Sequence, residues 1–231
     1  MIVFIAGMPR SGSTFSFNVA RDVLRVRGSV YQEAPPPDIL PELTRAAGAE
    51  HVLLKVHQLD EIGILLARYG AARVICTIRK PEDAVSSWMQ TFDYSEEDSI
   101  SVIREWLRFY AKLRPFALTI SYRSVDRHPF ITARRIMRFL VPNAGLTEIW
   151  RSARRHSKAE VKKRTDALSR DRGDIKDIGF SWYDMNTFFH RRHVSSLKSH
   201  SALERLPAEQ VQRIRAALAQ ETAAAGINWP E

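Results

Sequence analysis

The 231-residue chain is predicted to fold as an α/β protein, a three-layer sandwich whose central, mostly parallel sheet lies between helices. Two observations predict this class. Short apolar runs alternate with amphipathic segments over residues 1–140, a rhythm typical of parallel sheets covered on both faces. Polar residues directly follow several of these runs, where ligands bind in such sheets. Residues 141–231 are predicted to be mainly helix and loop, and to form a single domain with the rest.

The first predicted strand, Ile2–Ala6, leads through a glycine-containing loop at 7–14 into a helix that ends near Gly28. In this context backbone N–H groups and a helix N-terminus bind phosphate-like anions. The spacing is that of a P-loop, but Ser13 stands where that motif has lysine. Arg10 supplies a cation earlier in the loop. The loop is therefore predicted to bind an anion without hydrolysing a nucleoside triphosphate.

Three further apolar runs predict strands at 51–57, 73–78 and 117–122. Lys55 and His57 end the first run, Arg79 follows the second and Tyr122 ends the third. The carboxyl ends of parallel strands meet at one edge of a sheet, so these side chains are expected near the glycine loop. His57 is the only histidine placed directly after a strand that reaches this edge.

The segments between and after these strands carry helix signals. Pro81 suits a first helical turn, and Ser95 with the acids that follow it forms a capping box. Further helices are predicted at 60–69, 130–140 and 207–225. Residues 150–172 are predicted as one very basic helix, which is either a solvated face or a surface for an acidic substrate or membrane. Residues 171–184 are predicted as a loop.

Composition restricts the partners and the compartment. The formal net charge of +9 and the pI near 10 favour an anionic ligand, an acidic substrate or nucleic acid. The single cysteine, Cys76, allows no internal disulfide, which indicates a reducing, cytoplasmic environment. No secretory signal is recognised, and no apolar stretch approaches the roughly 20 residues that span a bilayer.

Four separated segments resemble the sulfotransferases that use 3′-phosphoadenosine 5′-phosphosulfate (PAPS). Residues 9–14 resemble their 5′-phosphosulfate loop, and Lys55-Val56-His57 resembles their Lys-x-His at a strand end. Residues 79–87 resemble their 3′-phosphate motif, and Tyr122-Arg123-Ser124-Val125 resembles the segment whose tyrosine lies near adenine. The resemblance implies the sulfotransferase variant of the P-loop NTPase fold, with PAPS as donor and no metal.

The resemblance also implies roles for individual residues. His57 would be the general base, which agrees with the intrinsic pKa of histidine, while Lys55 and Arg10 offset negative charge. The implied donor-binding residues are Arg10, Ser11, Gly12, Ser13, Thr14, Phe15, Arg79, Ser87, Tyr122 and Arg192. Phe15 stands where the family often has tryptophan. The choice between Ser86 and Ser87 stays open, and Arg192 belongs to 191–196, which would replace a missing C-terminal clamp.

The implied reaction transfers a sulfonate to a hydroxyl or amine of a small-molecule, saccharide or lipid acceptor. Its pocket is expected to come from the loops at 31–41, 91–96 and 173–190, and a homodimer is compatible with the sequence. Nucleic acid is not the expected partner. Two alternatives remain: a P-loop kinase-like phosphotransferase, which Ser13 disfavours, and a non-catalytic binder of anions or nucleic acid that uses the basic helix.

Overall fold

The computed structural model describes residues 1–34, 38–170, 173–177, 182–190 and 201–227. The central sheet contains β1 (Ile2–Ala6), β2 (Val30–Glu33), β3 (His51–Val56), β4 (Ala72–Ile78) and β5 (Ala117–Ser121). All neighbours pair in parallel, in the order β2-β3-β1-β4-β5. The prediction of an α/β fold around a parallel sheet is confirmed.

The described helices connect and cover these strands. They are α1 (Ser13–Arg25), α2 (Leu40–Arg45), α3 (Glu61–Arg68), α4 (Pro81–Phe92), α5 (Glu96–Leu113), α6 (Tyr122–Arg127), α7 (Pro129–Leu140), α8 (Leu146–Arg155), α9 (Lys158–Asp166) and α10 (Ala208–Ala224), with short 3₁₀ turns at Arg114–Phe116 and Ala202–Glu204. The two predicted helix starts are both found. Pro81 is the first residue of α4, and Ser95 caps α5 by accepting a hydrogen bond from the N–H of Asp98 at 3.0 Å.

The alternation of side chains along the strands divides the core into two layers. Val3 and Ile5 of β1 face one cluster, which they share with α1, α7 and α8. Phe4 and Ala6 face the other, which they share with α3, α4, α5 and α10. Both faces of the sheet are therefore buried, as expected for wholly apolar parallel strands.

The strand order positions a crevice beside β1. The chain first places β2 and β3 on one side of β1 and then crosses to place β4 and β5 on the other. Ligands of such sheets bind at the carboxyl ends of the strands, where the order reverses. The loop that follows Ala6 and the residues that follow Ile78 lie at this point. Among the described residues, no helix combines the length and apolarity needed to cross a membrane.

The prediction of one basic helix over 150–172 is wrong. The chain forms α8 and α9 instead, separated at His156 and Ser157. The Asp22 carboxylate of α1 accepts hydrogen bonds from the Ser152 hydroxyl at 2.8 Å and from His156 Nε2 at 2.9 Å. These two bonds hold the end of α8 against α1, and the extended backbone of Ser157 starts a new helix direction.

The prediction of a plain loop over 171–184 is also wrong where the structure describes that segment. Two three-residue strands, β6 (Ile175–Asp177) and β7 (Trp182–Asp184), pair in antiparallel fashion. A turn follows them, in which the Asp184 carboxylate accepts the N–H groups of Asn186 at 2.9 Å and Thr187 at 2.7 Å. Strands this short carry no recognisable alternation, so the sequence pattern could not reveal them.

Candidate active site

The loop after β1 can form only because its first residue is glycine. A side chain at Gly7 would place its Cβ 2.4 Å from Ser13 Cβ and 2.4 Å from Thr77 Oγ1. Those atoms belong to α1 and to the neighbouring strand β4, and both elements would have to move away to make room for a side chain. The close approach allows the loop to fold back onto the start of α1.

Ser11 holds the loop from inside the protein. Its hydroxyl lies 2.6 Å from the Met8 carbonyl and 3.0 Å from the Thr77 carbonyl, and its N–H donates to Met8. Ser11 is fully buried and does not line the cavity described below. The structure therefore gives Ser11, one of the predicted donor-binding residues, a role in shaping the loop.

The end of the loop and the first turn of α1 line the cavity. Gly12, with φ of 85°, precedes α1 in the left-handed region that favours glycine. The first N–H groups of a helix have no intrahelical acceptor, and Ser13 and Thr14, which begin α1, line the cavity. Phe15 also lines it, but its N–H donates to the Gly12 carbonyl at 3.0 Å. This arrangement presents a helix N-terminus to the cavity, a position that suits an anion.

Two arginines meet beside the loop. Arg79 is buried, donates from Nη1 to the Arg10 carbonyl at 3.2 Å and lies with its guanidinium 4.6 Å from the centre of the Tyr122 ring. Arg10 Nε donates to Ser87 Oγ at 3.1 Å. Burial first, and then the charge of Arg79, lower the pKa of Arg10 to about 10, so it stays protonated at neutral pH. Ser87 lines the cavity, whereas Ser86 is fully buried outside it.

His57 directly follows β3 and lines the same cavity. Its Nδ1 is 2.7 Å from the Gly7 carbonyl. A carbonyl can only accept, so Nδ1 carries the hydrogen and Nε2 keeps its lone pair. Desolvation by the surrounding protein, and then the Lys55 ammonium, lower the pKa of His57, although the ring is still exposed through the open cavity. His57 is therefore neutral at neutral pH.

Lys55 lies on the same strand, two residues before His57, and lines the same cavity. Burial lowers its pKa to about 8, so most of the population carries a positive charge at neutral pH. Ile5 of β1 is its register partner, which places Lys55 directly beside the strand that carries the glycine loop.

One cavity of about 330 Å³ gathers these groups. Its predicted members are Arg10, Gly12, Ser13, Thr14, Phe15, Lys55, His57, Arg79, Ser87 and Tyr122. The predicted Arg192 lies outside the described residues. Phe92, Phe189 and His190 come from two of the three loops expected to form the acceptor pocket, whereas no described residue of 31–41 reaches it.

Sequence reasoning missed Trp88 and His156 of the cavity wall, and it placed Phe92 and His190 in the expected acceptor loops without giving either residue a role. Trp88 and Phe92 lie four residues apart on α4, and that spacing was a signal that their side chains share one face of the helix. His156 and His190 had no such signal. The expectation that only His57 reaches this edge is therefore corrected, because all three histidines line the cavity.

The two additional histidines differ in their surroundings. His156 is buried and donates from Nε2 to Asp22; burial lowers its pKa while the bond to Asp22 opposes that change. His190 pairs with Tyr183 in an isolated bridge, with ring centres 5.2 Å apart. Burial, followed by the charges of Lys55 and Arg10, lowers the pKa of His190 to about 4.

The arrangement combines a helix N-terminus, the cationic side chains of Arg10, Lys55, Arg79 and Lys158, and the neutral His57 in one cavity. It can bind a ligand with more than one anionic group and can accept a proton beside it. Among the described residues, no group of three or more His, Cys, Asp or Glu side chains could hold a metal ion.

Comparison with known proteins identifies the fold. No protein-family model and no curated sequence matches the chain significantly. Retinol dehydratase in complex with androsterone and the inactive cofactor PAP superposes with a TM-score of 0.63 at 13% identity, covering 99% of this chain and 82% of that one. Mouse sulfotransferase SULT7A1 complexed with PAP gives a TM-score of 0.63 at 16% identity, covering 96% and 84%.

A second complex of retinol dehydratase, with retinol and PAP, has a TM-score of 0.62 at 13% identity and covers 99% of this chain and 83% of that one. Identities this low establish the fold and not the activity. The likeness extends over nearly the whole chain, including the part after residue 140. The chain has the sulfotransferase fold, as the four sequence motifs predict.

Proposed function

We propose that the protein is a sulfotransferase that moves the sulfonate of PAPS to the hydroxyl or amine of a small acceptor, with His57 as general base. The observation that carries this proposal is the orientation of His57. Its hydrogen bond to Gly7 leaves Nε2 as the basic nitrogen, in the same cavity as the loop that begins at that glycine. Gly7 thus both orients the proposed base, through its carbonyl, and begins the loop of the proposed anion site.

The donor fits the cavity because it carries two separate anionic groups. The N–H groups at the start of α1, with Ser13 and Thr14, suit the 5′-phosphosulfate. Arg79 and Ser87, which are both buried and both connected to Arg10, suit the 3′-phosphate. A P-loop kinase needs a loop lysine for the γ-phosphate of ATP, and Ser13 cannot supply it.

The chain's own residues account for the proton and the charge. His57 Nε2 takes the acceptor proton as the acceptor oxygen or nitrogen forms its bond to sulfur. The sulfur–oxygen bond to the 5′-phosphate breaks, and its electron pair leaves with 3′-phosphoadenosine 5′-phosphate (PAP). Lys55 and Arg10 offset the negative charge that the leaving phosphate gains.

The acceptor is proposed to be a small molecule with an apolar body. The cavity wall contains the packed rings of Trp88 and Phe92, 4.6 Å apart and next to Arg10, and it also contains Phe189. Two similar structures are complexes with PAP and, respectively, androsterone and retinol, which is compatible with such walls.

A cytoplasmic location is proposed on the basis of the free, buried Cys76.

Transfer from PAPS is expected to proceed in the presence of EDTA. Protein cations and N–H groups supply the positive charge in the cavity, and no metal cluster is found among the described residues. PAPS labelled in its sulfonate would be incubated with phenols, sterols, sugars and lipids, and labelled product and PAP would be measured. Turnover that requires Mg²⁺, or transfer of the γ-phosphate of ATP instead, would favour the kinase alternative.

A further inference from the structure

A basic, apolar surface lies on the outer faces of α7 and α8, which we call the α7–α8 face. Both helices bury one side in the core cluster that they share with α1, through Ile136, Met137, Ile149 and Ala153. Their opposite sides are exposed. The exposed residues of α7 are Phe130, Ile131, Arg134, Arg135 and Arg138, and those of α8 are Leu146, Thr147, Trp150, Arg151 and Arg154.

The charge of this segment is strongly one-sided. From residue 127 to residue 159 there is one carboxylate, Glu148. The cations in the same stretch are Arg127, Arg134, Arg135, Arg138, Arg151, Arg154, Arg155 and Lys158. Glu148 is occupied by a two-pronged ion pair with Arg27, at 2.7 and 3.2 Å. Arg155 and Lys158 pair with Asp22 at 3.5 Å and Asp126 at 3.4 Å, two acids outside this stretch. The positive charge of the α7–α8 face is therefore that of its own arginines, Arg134, Arg135, Arg138, Arg151 and Arg154.

Large apolar side chains are interspersed with these arginines. Ile131 is 55% exposed, Leu146 58% and Trp150 52%. Positions 131, 134 and 138 share one stripe of α7, and positions 146, 150 and 154 share one stripe of α8. The Arg154 guanidinium lies 5.3 Å from the centre of the Trp150 ring, so cation and indole form one unit. Each stripe thus offers an apolar residue and arginine side by side.

We propose that the α7–α8 face docks the protein onto an anionic lipid surface. Arginines gain free energy near anionic headgroups, and tryptophan with aliphatic side chains enters the interfacial region beneath them. A soluble polyanion such as nucleic acid would satisfy the arginines but would leave Ile131 and Leu146 in water. The proposal does not depend on sulfonate transfer. It assigns a role to the exposed sides of α7 and α8, whose residues do not line the cavity.

The test is sedimentation of the full chain with phosphatidylcholine vesicles, prepared with and without phosphatidylglycerol. We expect binding only to the anionic vesicles. The double variant Arg134→Glu/Arg151→Glu should weaken it by roughly 30-fold, because two favourable contacts near the membrane are lost. The matched control, Arg68→Glu/Lys112→Glu, makes the same change of charge on α3 and α5 across the sheet. It should weaken binding by only a few-fold.

A second variant separates lipid contact from charge attraction. Leu146→Gln/Trp150→Gln keeps every charge and should weaken vesicle binding by roughly tenfold, since it removes the apolar insertion. Unchanged melting temperatures would verify that each variant folds. Equal losses for the charge variant and its control would overturn the proposal, as would wild-type binding by the apolar variant. The latter result would indicate a face for soluble polyanions.

Discussion

Replacing His57 with alanine is expected to lower the rate of sulfonate transfer by roughly 10²–10⁴-fold, the usual contribution of a general base. The affinity for PAP should stay within a few-fold of the wild type, because a base acts on the acceptor proton in the transition state. His57→Asn should behave in the same way, since an amide cannot take a proton near neutral pH. Single-turnover rates and calorimetric PAP titrations measure the two quantities separately.

Two control variants sharpen this result. His51 lies at the opposite end of β3, so His51→Ala should leave both quantities nearly unchanged. His190→Ala tests the other histidine near Lys55 and Arg10. If His190→Ala abolished turnover and His57→Ala did not, the base would be His190. If His57→Ala lost PAP binding and folding together, His57 would have a structural role.

The pH dependence of kcat/KM gives an independent check on His57. Desolvation and the Lys55 charge lower its pKa, so the neutral, active form persists to lower pH than an ordinary histidine near 6.5 allows. The acidic limb of the profile is therefore expected below that value. The free energy of unfolding should also decrease as the pH falls. The pKa of His57 is lower in the folded than in the unfolded protein, so its contribution to stability is present above the unfolded pKa and is lost at lower pH.

Arg79→Ala is expected to weaken PAP binding by about 1.5–3 kcal/mol, or roughly 10- to 150-fold, by removing a charge-assisted contact from a buried position. AMP has no 3′-phosphate, so its affinity should change little. Arg73→Ala, on the same strand but near its other end, is the matched control. Calorimetry with both nucleotides checks the result, and an equal loss for PAP and AMP would show that Arg79 does not bind the 3′-phosphate.

The parts of the site predicted from sequence are those encoded locally. The apolar strands, the glycine loop and the polar residues at strand ends each require only neighbouring residues, and the parallel sheet brings them together. Lys55 and His57 reach the loop because β3 pairs with β1 in parallel register, Ile5 opposite Lys55. The fold class predicts that such pairing is parallel, while the neighbour of β3 and the register come from the structure.

The parts that sequence reasoning missed depend on distant contacts. His190 reaches the cavity because the turn before it is fixed to α1: Asn18 Nδ2 donates to the Thr187 carbonyl at 2.8 Å, and Arg21 donates to the Asn186 carbonyl. The partners of these two bonds are 169 and 165 residues apart in the sequence. A local sequence pattern cannot predict hydrogen bonds between such distant residues. The break between α8 and α9 at His156 likewise depends on a distant residue, Asp22 of α1.

Titration calorimetry with PAP, AMP and ATP plus Mg²⁺ tests the account most directly, because it requires no acceptor. The cavity offers separate positions for two anionic groups, at the start of α1 and at Arg79 with Ser87. PAP is therefore predicted to bind most tightly, without metal, and AMP at least roughly tenfold more weakly, in line with the loss of one charge-assisted contact. Tightest binding by ATP with Mg²⁺, with PAP no better than AMP, would contradict the assignment of this cavity to a sulfonate donor.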